Sequence, residues 1–165
     1  METVFLGLGT NLGEREENLR KAVLLIEEHI GKPVAESPVY ETEPWGFTSE
    51  ISFLNMAVKV ETDLSPSGLL GRTLMIEAMM GRLREGKGYK SRIIDIDILL
   101  FGSRVIETRA LQIPHPRLHE RRFVLVPLSG IASDTVHPVL GKSIGELLAE
   151  CRDGNKVAEY RKNNL

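Results

Sequence analysis

Two aspartates stand at alternate positions inside a long apolar stretch of the sequence. Asp95 and Asp97 both fall within residues 93–100, which are otherwise aliphatic. If this stretch is a β-strand, the two carboxylates share one face at roughly 6.5–7 Å along the backbone and can converge on divalent cations. Carboxylate oxygens suit a hard cation such as Mg²⁺, which commonly completes its shell with water and substrate phosphates. The spacing therefore predicts a magnesium site on a half-buried strand.

The opposite face of the same strand is apolar and is predicted to face a core. Its residues are Ile94, Ile96, Ile98 and Leu100. The alternative is an ordinary amphipathic strand with both acids in solvent. Against it, aspartate is a poor strand former and both acids lie in the middle of the stretch. On a half-buried strand, two ionised carboxylates without a cation would also cost on the order of several kcal/mol.

A basic segment immediately precedes the acidic strand. Within residues 82–92 a single acid, Glu85, is accompanied by five cations: Arg82, Arg84, Lys87, Lys90 and Arg92. Arginine forks bind phosphate oxygens in a bidentate manner, and an acid pair beside such cations supplies the components of a phosphoryl-transfer site. The alternative is a solvated charged surface, which the adjacent acid pair makes the less favoured interpretation.

Length and composition limit the possible classes of protein. The chain has 165 residues, of which 42% are hydrophobic and 27% charged, and we expect one globular domain over residues 1–165. A net charge of −2 argues against a general nucleic-acid binder. Its one cysteine, Cys151, cannot form an internal disulfide. We find no basic leader and no apolar run near the roughly 20 residues of a membrane span, so we expect a cytoplasmic protein.

Hydrophobic periodicity predicts an alternation of strands and helices in the first two thirds of the chain. We predict a strand over 3–8, a helix over 14–30, an extended segment over 34–42, a strand over 53–60, a helix from Ser65-Pro66 to Gly81 and a strand over 93–100. Three glycines (Gly7, Gly9 and Gly13) are assigned to the turn after the first strand. We expect Gly102-Ser103 to turn the acidic strand back along Val105-Ile106 as a short hairpin.

The remaining sequence predicts a helical cover. Residues 123–132 are a mostly apolar element, and Ser143 with Glu146 forms a capping box that opens a last helix. The tail beyond Asp153 is expected to fray. The order of elements predicts an α+β, ferredoxin-like sandwich. Its sheet is mostly antiparallel with helices on one face, and an added hairpin and the C-terminal helices cover the remaining surface.

Several short motifs occur in one order along almost the whole chain. They are Gly-Thr-Asn-Leu-Gly (9–13), Tyr40-x-Thr42-x-Pro44-x-Gly46, Phe53-Leu54-Asn55, Arg82-x-Arg84, Arg92-x-x-Asp95-x-Asp97, Pro114-His115 and Arg121-x-Phe123. Together they resemble the 6-hydroxymethyl-7,8-dihydropterin pyrophosphokinases of folate biosynthesis. The resemblance implies a Mg²⁺-dependent transferase that moves pyrophosphate from ATP to the pterin hydroxymethyl group and releases AMP. It also implies two Mg²⁺ ions, a ferredoxin-like fold, and ATP and the pterin as ligands. We further expect a monomer.

The resemblance assigns roles to matching positions. Asp95 and Asp97 would be metal ligands and catalytic residues, and Arg82 and Arg92 would be catalytic residues that bind phosphate. The implied ATP contacts are Glu77, Arg82, Arg84, Arg92, Ile98, His115 and Arg121. The implied pterin contacts are Thr42, Pro44, Trp45, Phe53, Asn55 and Phe123. For a single histidine or phenylalanine, a structural role or core packing is the commoner explanation.

One segment departs from the family pattern, and other functions remain open. Residues 88–92 read Gly-Tyr-Lys-Ser-Arg, where the family commonly has Arg-Trp-Gly-Pro-Arg, so we expect a more flexible segment that alters affinity and closure but not the reaction class. No general base stands out from spacing. The alternatives are a ferredoxin-like regulatory or RNA-binding module and a family member that has lost activity.

Overall fold

A computed structural model of the chain describes residues 1–42, 52–81 and 93–161. Within these ranges the elements, in chain order, are β1 (Glu2–Thr10), α1 (Arg15–His29), β2 (Lys32–Glu36), β3 (Tyr40–Thr42), β4 (Phe53–Thr62), α2 (Pro66–Met79), β5 (Asp95–Phe101), β6 (Ile106–Glu107), β7 (Gln112–Ile113), a 3-10 helix (Leu118–Glu120), α3 (Arg122–Ala132), α4 (Ile144–Glu150) and β8 (Val157–Glu159). In this part of the chain, every helix is too short or too polar to traverse a lipid bilayer.

The large sheet is antiparallel at every pairing among the described residues. Its strand order is β5-β1-β4-β3-β8, and β2 also pairs with β4. The segment predicted as one extended stretch over 34–42 is divided into β2 and β3 at Ser37 and Pro38. There the Ser37 N–H donates to the Ala57 carbonyl at 2.9 Å, and the Ser37 hydroxyl accepts from the Ala57 N–H at 2.9 Å. The predicted α+β class with a mostly antiparallel sheet is confirmed.

Two apolar clusters lie on the two faces of this sheet. One joins β1, β4 and β5 to α1 and α2, and it includes Val4, Leu6, Val58, Ile26 and Ile76. The other joins the reverse face to α3 and α4, and it includes Phe5, Ala57, Leu125, Leu128 and Ile144. Side chains alternate between the faces of a strand, so β1 and β4 contribute to both clusters. The C-terminal helices therefore cover the face that α1 and α2 leave open, as the sequence predicted.

The apolar face of β5 differs from the prediction at one residue. Ile94, Ile96 and Ile98 lie in the cluster with α1 and α2, but Leu100 lies in the cluster with α3 and α4. Phe5 pairs with Leu100 while Leu6 pairs with Ile98, so the register shifts by one residue at this point. Such a bulge interrupts the alternation of faces. The prediction that Leu100 shares the isoleucine face is therefore wrong.

The hairpin after β5 has a different partner from the predicted one. Gly102 turns the chain with a φ of +53°, as expected of glycine. However, β6 pairs with β7 rather than with β5. The connection is closed locally, because the Thr108 hydroxyl accepts from the Leu111 N–H at 3.0 Å and the Thr108 N–H donates to the Leu111 carbonyl at 2.9 Å. The turn residues Gly102-Ser103 mark the first turn, but the strands that pair are joined by the turn between Thr108 and Leu111.

Both predicted helix N-termini at serine are confirmed. The Ser65 hydroxyl accepts from the Gly68 N–H at 3.1 Å at the start of α2. At α4 the Ser143 hydroxyl accepts from the Glu146 N–H, and the Glu146 carboxylate accepts from the Ser143 N–H, both at 3.1 Å. These bonds satisfy main-chain donors that have no partner inside a helix.

The C-terminal tail beyond Asp153 does not fray over residues 157–159. These residues form β8, which pairs with β3 at the edge of the large sheet. The Tyr160 N–H then donates to the Val39 carbonyl at 2.8 Å, and Tyr160 packs against the cluster with α1 and α2. The expectation of fraying was wrong here because the polar composition of the tail does not reveal that β3 has an open edge to pair with.

Candidate active site

A cleft opens on the face of the large sheet that α3 partly covers. Its floor is formed by side chains and glycines of β1, β4 and β5, and α3 supplies one wall. The cleft has a volume of about 870 Å³, including space that is open to solvent. Acidic and aromatic residues predicted from the sequence both line it, so this cleft is the candidate active site.

The acid pair lies where the strand alternation predicts. Asp95 and Asp97 are half-buried and both line the cleft from β5. Across the β1–β5 pairing, Gly9 lies opposite Asp95 and Gly7 lies opposite Asp97. A Cβ at Gly7 would lie 3.3 Å from Leu99 Cδ1, and a Cβ at Gly9 would lie 2.9 Å from Asn55 Oδ1, so glycine at both positions leaves room for these neighbouring side chains. The prediction that the two carboxylates share one face of a half-buried strand is confirmed.

The glycines of β1 were missed as site residues. The sequence analysis placed Gly7 and Gly9 in a turn, but β1 continues to Thr10 and both glycines lie inside the strand. Of the three glycines only Gly13 lies in the turn, with a φ of +71°. The signal that could have identified them is their spacing, since residues two apart in a strand lie on one face.

Asn55 and Thr42 form a buried polar pair next to Gly9. The Asn55 amide donates from Nδ2 to the Thr42 hydroxyl oxygen at 3.3 Å. Asn55 lies opposite Gly9 on the neighbouring strand, and a Cβ at Gly9 would lie 2.9 Å from Asn55 Oδ1. Glycine at this position therefore allows the amide to lie flat on the cleft floor. The pair presents a carbonyl oxygen and a hydroxyl group for recognition of a polar ligand edge.

Two phenylalanines line the cleft from different elements. Phe53 is the first residue of β4, and Phe123 lies in the first turn of α3. Both rings are half-buried. The Arg121 guanidinium lies 5.5 Å from the centroid of the Phe123 ring and also lines the cleft. Aromatic surface from the sheet and from the helix, with a cation at one end, suits a flat and polar ring system.

His115 lies in an adjoining groove beside the β6–β7 hairpin. Its main-chain N–H donates to the Leu99 carbonyl of β5 at 3.0 Å, and its Nδ1 accepts from the Arg117 N–H at 3.2 Å. Burial, with Arg121 and then Arg117 adding to it, lowers the pKa of His115, whereas Asp95 opposes the shift. The imidazole is therefore neutral at neutral pH and carries its proton on Nε2.

Two residues predicted as ATP contacts have side chains away from the cleft. Glu77 of α2 is 3% exposed, and its carboxylate accepts from the Ile96 N–H at 2.8 Å. Ile98 is 6% exposed in the cluster with α1 and α2. Since the Ile96 N–H points to a group outside β1, alternation places the main-chain groups of Ile98 at the same outer edge of β5. Glu77 thus supports the strand that carries the acids, and only main-chain atoms of Ile98 face that edge.

Five predicted site residues lie outside the described residues. They are Pro44, Trp45, Arg82, Arg84 and Arg92. The residues that the structure does bring together in the cleft are Thr42, Phe53, Asn55, Asp95, Asp97, Arg121 and Phe123. Leu99, Val124 and Pro127 also line it and were not predicted, because their apolar character resembles that of ordinary core residues.

The combination of motifs, fold and cleft agrees with comparison to known proteins. A family model described as 7,8-dihydro-6-hydroxymethylpterin-pyrophosphokinase (HPPK) matches residues 5–133. The chain belongs to the HPPK family. The family recognised from the ordered motifs is therefore confirmed.

Relatives within this family align over most of the chain. A Bacillus subtilis protein named 2-amino-4-hydroxy-6-hydroxymethyldihydropteridine pyrophosphokinase is 47% identical over 128 residues, which are 77% of this chain and 76% of that protein. A Methylorubrum extorquens protein of the same name is 42% identical over 155 residues, which are 91% of this chain and 94% of that protein.

A solved structure shows the same fold. The Plasmodium falciparum HPPK-DHPS structure with SDX-DHP superposes with a TM-score of 0.73 at 21% identity. The match covers 91% of this chain and 43% of that one, so the chain spans less than half the length of that protein. At this level of identity the likeness establishes the fold of the HPPK family for the present chain.

The contact between Gly9 and Asn55 gives a first prediction. In Gly9→Ala the new Cβ would displace the Asn55 amide, and the bond to Thr42 would weaken. We expect a loss of roughly 1 kcal/mol or more in the free energy of unfolding and a shifted Asn55 side-chain amide signal in the NMR spectrum. Gly71→Ala is the matched control, because nothing lies within 4 Å of its Cβ and the residue is exposed in α2. It should stabilise the protein by about 0.5–1 kcal/mol. Equal effects of the two substitutions would contradict this account of Gly9.

The environment of His115 gives a second prediction, on pH. Its folded pKa is lowered from 6.5, so the unfolded chain binds more protons as the pH falls through this range. Stability from this group is complete above about pH 6.5 and is lost as the pH falls toward the folded pKa. An NMR titration of the His115 ring should give a midpoint below 6.5, and His115→Gln should flatten the decline of unfolding free energy with acid. A midpoint at or above 6.5 would show that the imidazole is charged more readily than its burial implies.

Proposed function

We propose that this chain transfers the terminal pyrophosphoryl group of ATP to the hydroxymethyl group of 6-hydroxymethyl-7,8-dihydropterin and releases AMP, as a step of folate biosynthesis. The observation that carries the proposal is that one cleft contains both the acid pair of β5 and the polar, aromatic surface around Asn55. In a chain of the HPPK family, these two ends correspond to the two groups that the reaction must bring together.

The acid pair supplies a donor set that fits Mg²⁺. Both carboxylates are half-buried on one face of β5 and line the cleft, and carboxylate oxygens are ligands that Mg²⁺ prefers. From the Asp95-x-Asp97 motif of the family we propose that Asp95 and Asp97 hold two Mg²⁺ ions and that phosphate oxygens and water supply the remaining ligands. When bound, these ions would neutralise charge on the triphosphate during the transfer.

Cationic and neutral donors would complete the binding of the phosphates. Arg121 lines the cleft and can reach a phosphate from the end of the Phe123 ring. The neutral His115 can donate from Nε2, because its Nδ1 is already an acceptor. From the sequence motifs we further propose that Arg82 and Arg92 bind the phosphates and that Arg84 assists them. Arginine is suited to this task by its planar fork of donors.

The pterin would occupy the other end of the cleft. We propose that its ring stacks on Phe53 and Phe123, since offset stacking contributes roughly 0.5–1.5 kcal/mol per pair beyond burial of area. The Thr42 oxygen accepts from Asn55, so the Thr42 hydroxyl proton points to another acceptor and Asn55 Oδ1 remains an acceptor for a ring N–H. Pro44 and Trp45 are proposed to contribute from the segment that follows Thr42. Together these residues would bind the polar edge of the pterin ring and orient its hydroxymethyl group toward Asp95 and Asp97.

Product analysis tests the reaction directly. With ATP, the reduced pterin and Mg²⁺, the chain should produce AMP and no ADP, and EDTA should abolish turnover. Asp95→Asn and Asp97→Asn should each lower kcat by roughly 100-fold or more, because each removes a charge that acts where transition-state charge develops. Release of ADP would instead indicate an ordinary kinase.

A control on the reverse side of β5 separates chemistry from folding. Glu77→Gln removes a buried carboxylate charge that bonds to the main chain of the same strand but lies away from the cleft. It should lower thermal stability while retaining far more activity than either aspartate variant. If Asp95→Asn and Asp97→Asn keep the activity of the wild-type protein, the proposed role of the acid pair is wrong.

A further inference from the structure

A polar cluster lies behind the proposed pterin site, on the opposite face of the sheet. The cluster consists of Arg15, Glu41, Ser52 and Tyr160, and we call it the Arg15 cluster. Glu41 precedes Thr42 in β3, and Ser52 precedes Phe53 at the start of β4. Because side chains alternate between the faces of a strand, the side chain of Glu41 points away from the cleft that Thr42 lines.

The contacts of the cluster converge on a single nitrogen. Arg15 Nη1 donates to the Ser52 carbonyl at 2.9 Å, to the Ser52 hydroxyl at 3.3 Å and to the Glu41 carboxylate at 3.3 Å. The Ser52 hydroxyl also donates to the Glu41 carboxylate at 2.6 Å. The Arg15 side chain is 21% exposed, so these charged hydrogen bonds are partly shielded from solvent. Arg15 thereby joins the first turn of α1 to the adjacent ends of β3 and β4.

The C-terminal strand adds to the same cluster. The Arg15 guanidinium lies 5.7 Å from the centroid of the Tyr160 ring. Tyr160 follows β8, whose residues Val157 and Ala158 pair with Thr42 and Glu41. A hydrogen bond with Glu16 raises the pKa of the Tyr160 hydroxyl. The tail therefore covers the outer edge of β3 and also lies against the residue that holds Ser52.

From this arrangement we propose that Arg15 is a positioning residue for the pterin, acting through Glu41 and Ser52 on Thr42 and Phe53. The inference rests on the proposed function, because it assigns the ring to the cleft end that these two residues line. Arg15 touches neither substrate in this account. It fixes the spacing of two strand ends, so its loss should weaken binding of the pterin more than binding of ATP or the chemical step.

Three variants test the proposal. Arg15→Gln removes the charge, and Arg15→Lys restores a cation that offers three donors from one nitrogen. Arg20→Gln is the matched control, because Arg20 lies on the same helix and its ion pair within the described residues is with Glu17, at 2.6 Å on the exposed surface. In Arg15→Gln we expect roughly fivefold to tenfold weaker pterin binding and a matching rise in the pterin KM. The Kd of a nonhydrolysable ATP analogue and kcat should change by less than about twofold, and Arg15→Lys should recover most of the loss.

Two results would overturn the proposal. The first is equal pterin affinity in Arg15→Gln and Arg20→Gln. The second is a parallel fall of pterin affinity, ATP-analogue affinity and melting temperature, which would indicate a purely structural role. If Arg15→Gln folds poorly, Glu41→Gln replaces it in the test. That substitution removes the carboxylate charge that both Arg15 and Ser52 contact, and it should cause the same selective loss of pterin affinity.

A measurement without ligands separates this inference from the proposed function. Amide hydrogen exchange of residues 53–55 should be faster in ligand-free Arg15→Gln than in the wild-type protein and unchanged in Arg20→Gln. If the wild-type protein does not bind the pterin, the proposed function is wrong, and Arg15 then has no pterin to position. If the wild-type protein binds the pterin but exchange and affinity are the same in all variants, only the positioning role of Arg15 fails.

Discussion

The alternation of side chains along β5 is the constraint on which the candidate active site depends. Asp95 and Asp97 are half-buried, and they lie on the same face of β5 because residues two apart in a strand always do. The same alternation along β4 turns Phe53 and Asn55 toward the cleft that the two carboxylates line. Acidic oxygens and a polar, aromatic surface therefore meet in one cleft, and the proposed binding of a metal–nucleotide complex beside the pterin rests on this arrangement.

One face of the large sheet is packed into a core, and the other face carries the cleft. The face toward α1 and α2 is filled by aliphatic side chains from every central strand. The face toward α3 is filled only in part, and the remaining part is the cleft. Polar side chains on the face toward α1 and α2 also hold in place the strands that form the cleft. Glu77 bonds to the main chain of β5 between the two aspartates, and the Arg15 cluster joins the ends of β3 and β4.

The sequence could predict the features that follow from local rules. The acid pair, its shared face and both serine-capped helices follow from strand alternation and capping chemistry, and the structure confirms them. Features that depend on a distant partner were missed. The register shift at Leu99 appears only when β5 pairs with β1, and the edge that β8 covers exists only once β3 has formed. Gly7 and Gly9 were assigned to a turn because glycine usually marks one, although here both lie inside β1, where the side chains of Leu99 and Asn55 pack against them.

The most direct test of the central claim is an anomalous-scattering map from crystals grown with Mn²⁺, a nonhydrolysable ATP analogue and the reduced pterin. Manganese takes the same oxygen ligands as magnesium and can be located without ambiguity. We predict anomalous peaks within roughly 2.0–2.6 Å of carboxylate oxygens of both Asp95 and Asp97, with the pterin between Phe53 and Phe123. Bound nucleotide and pterin with no peak at either aspartate would contradict the account.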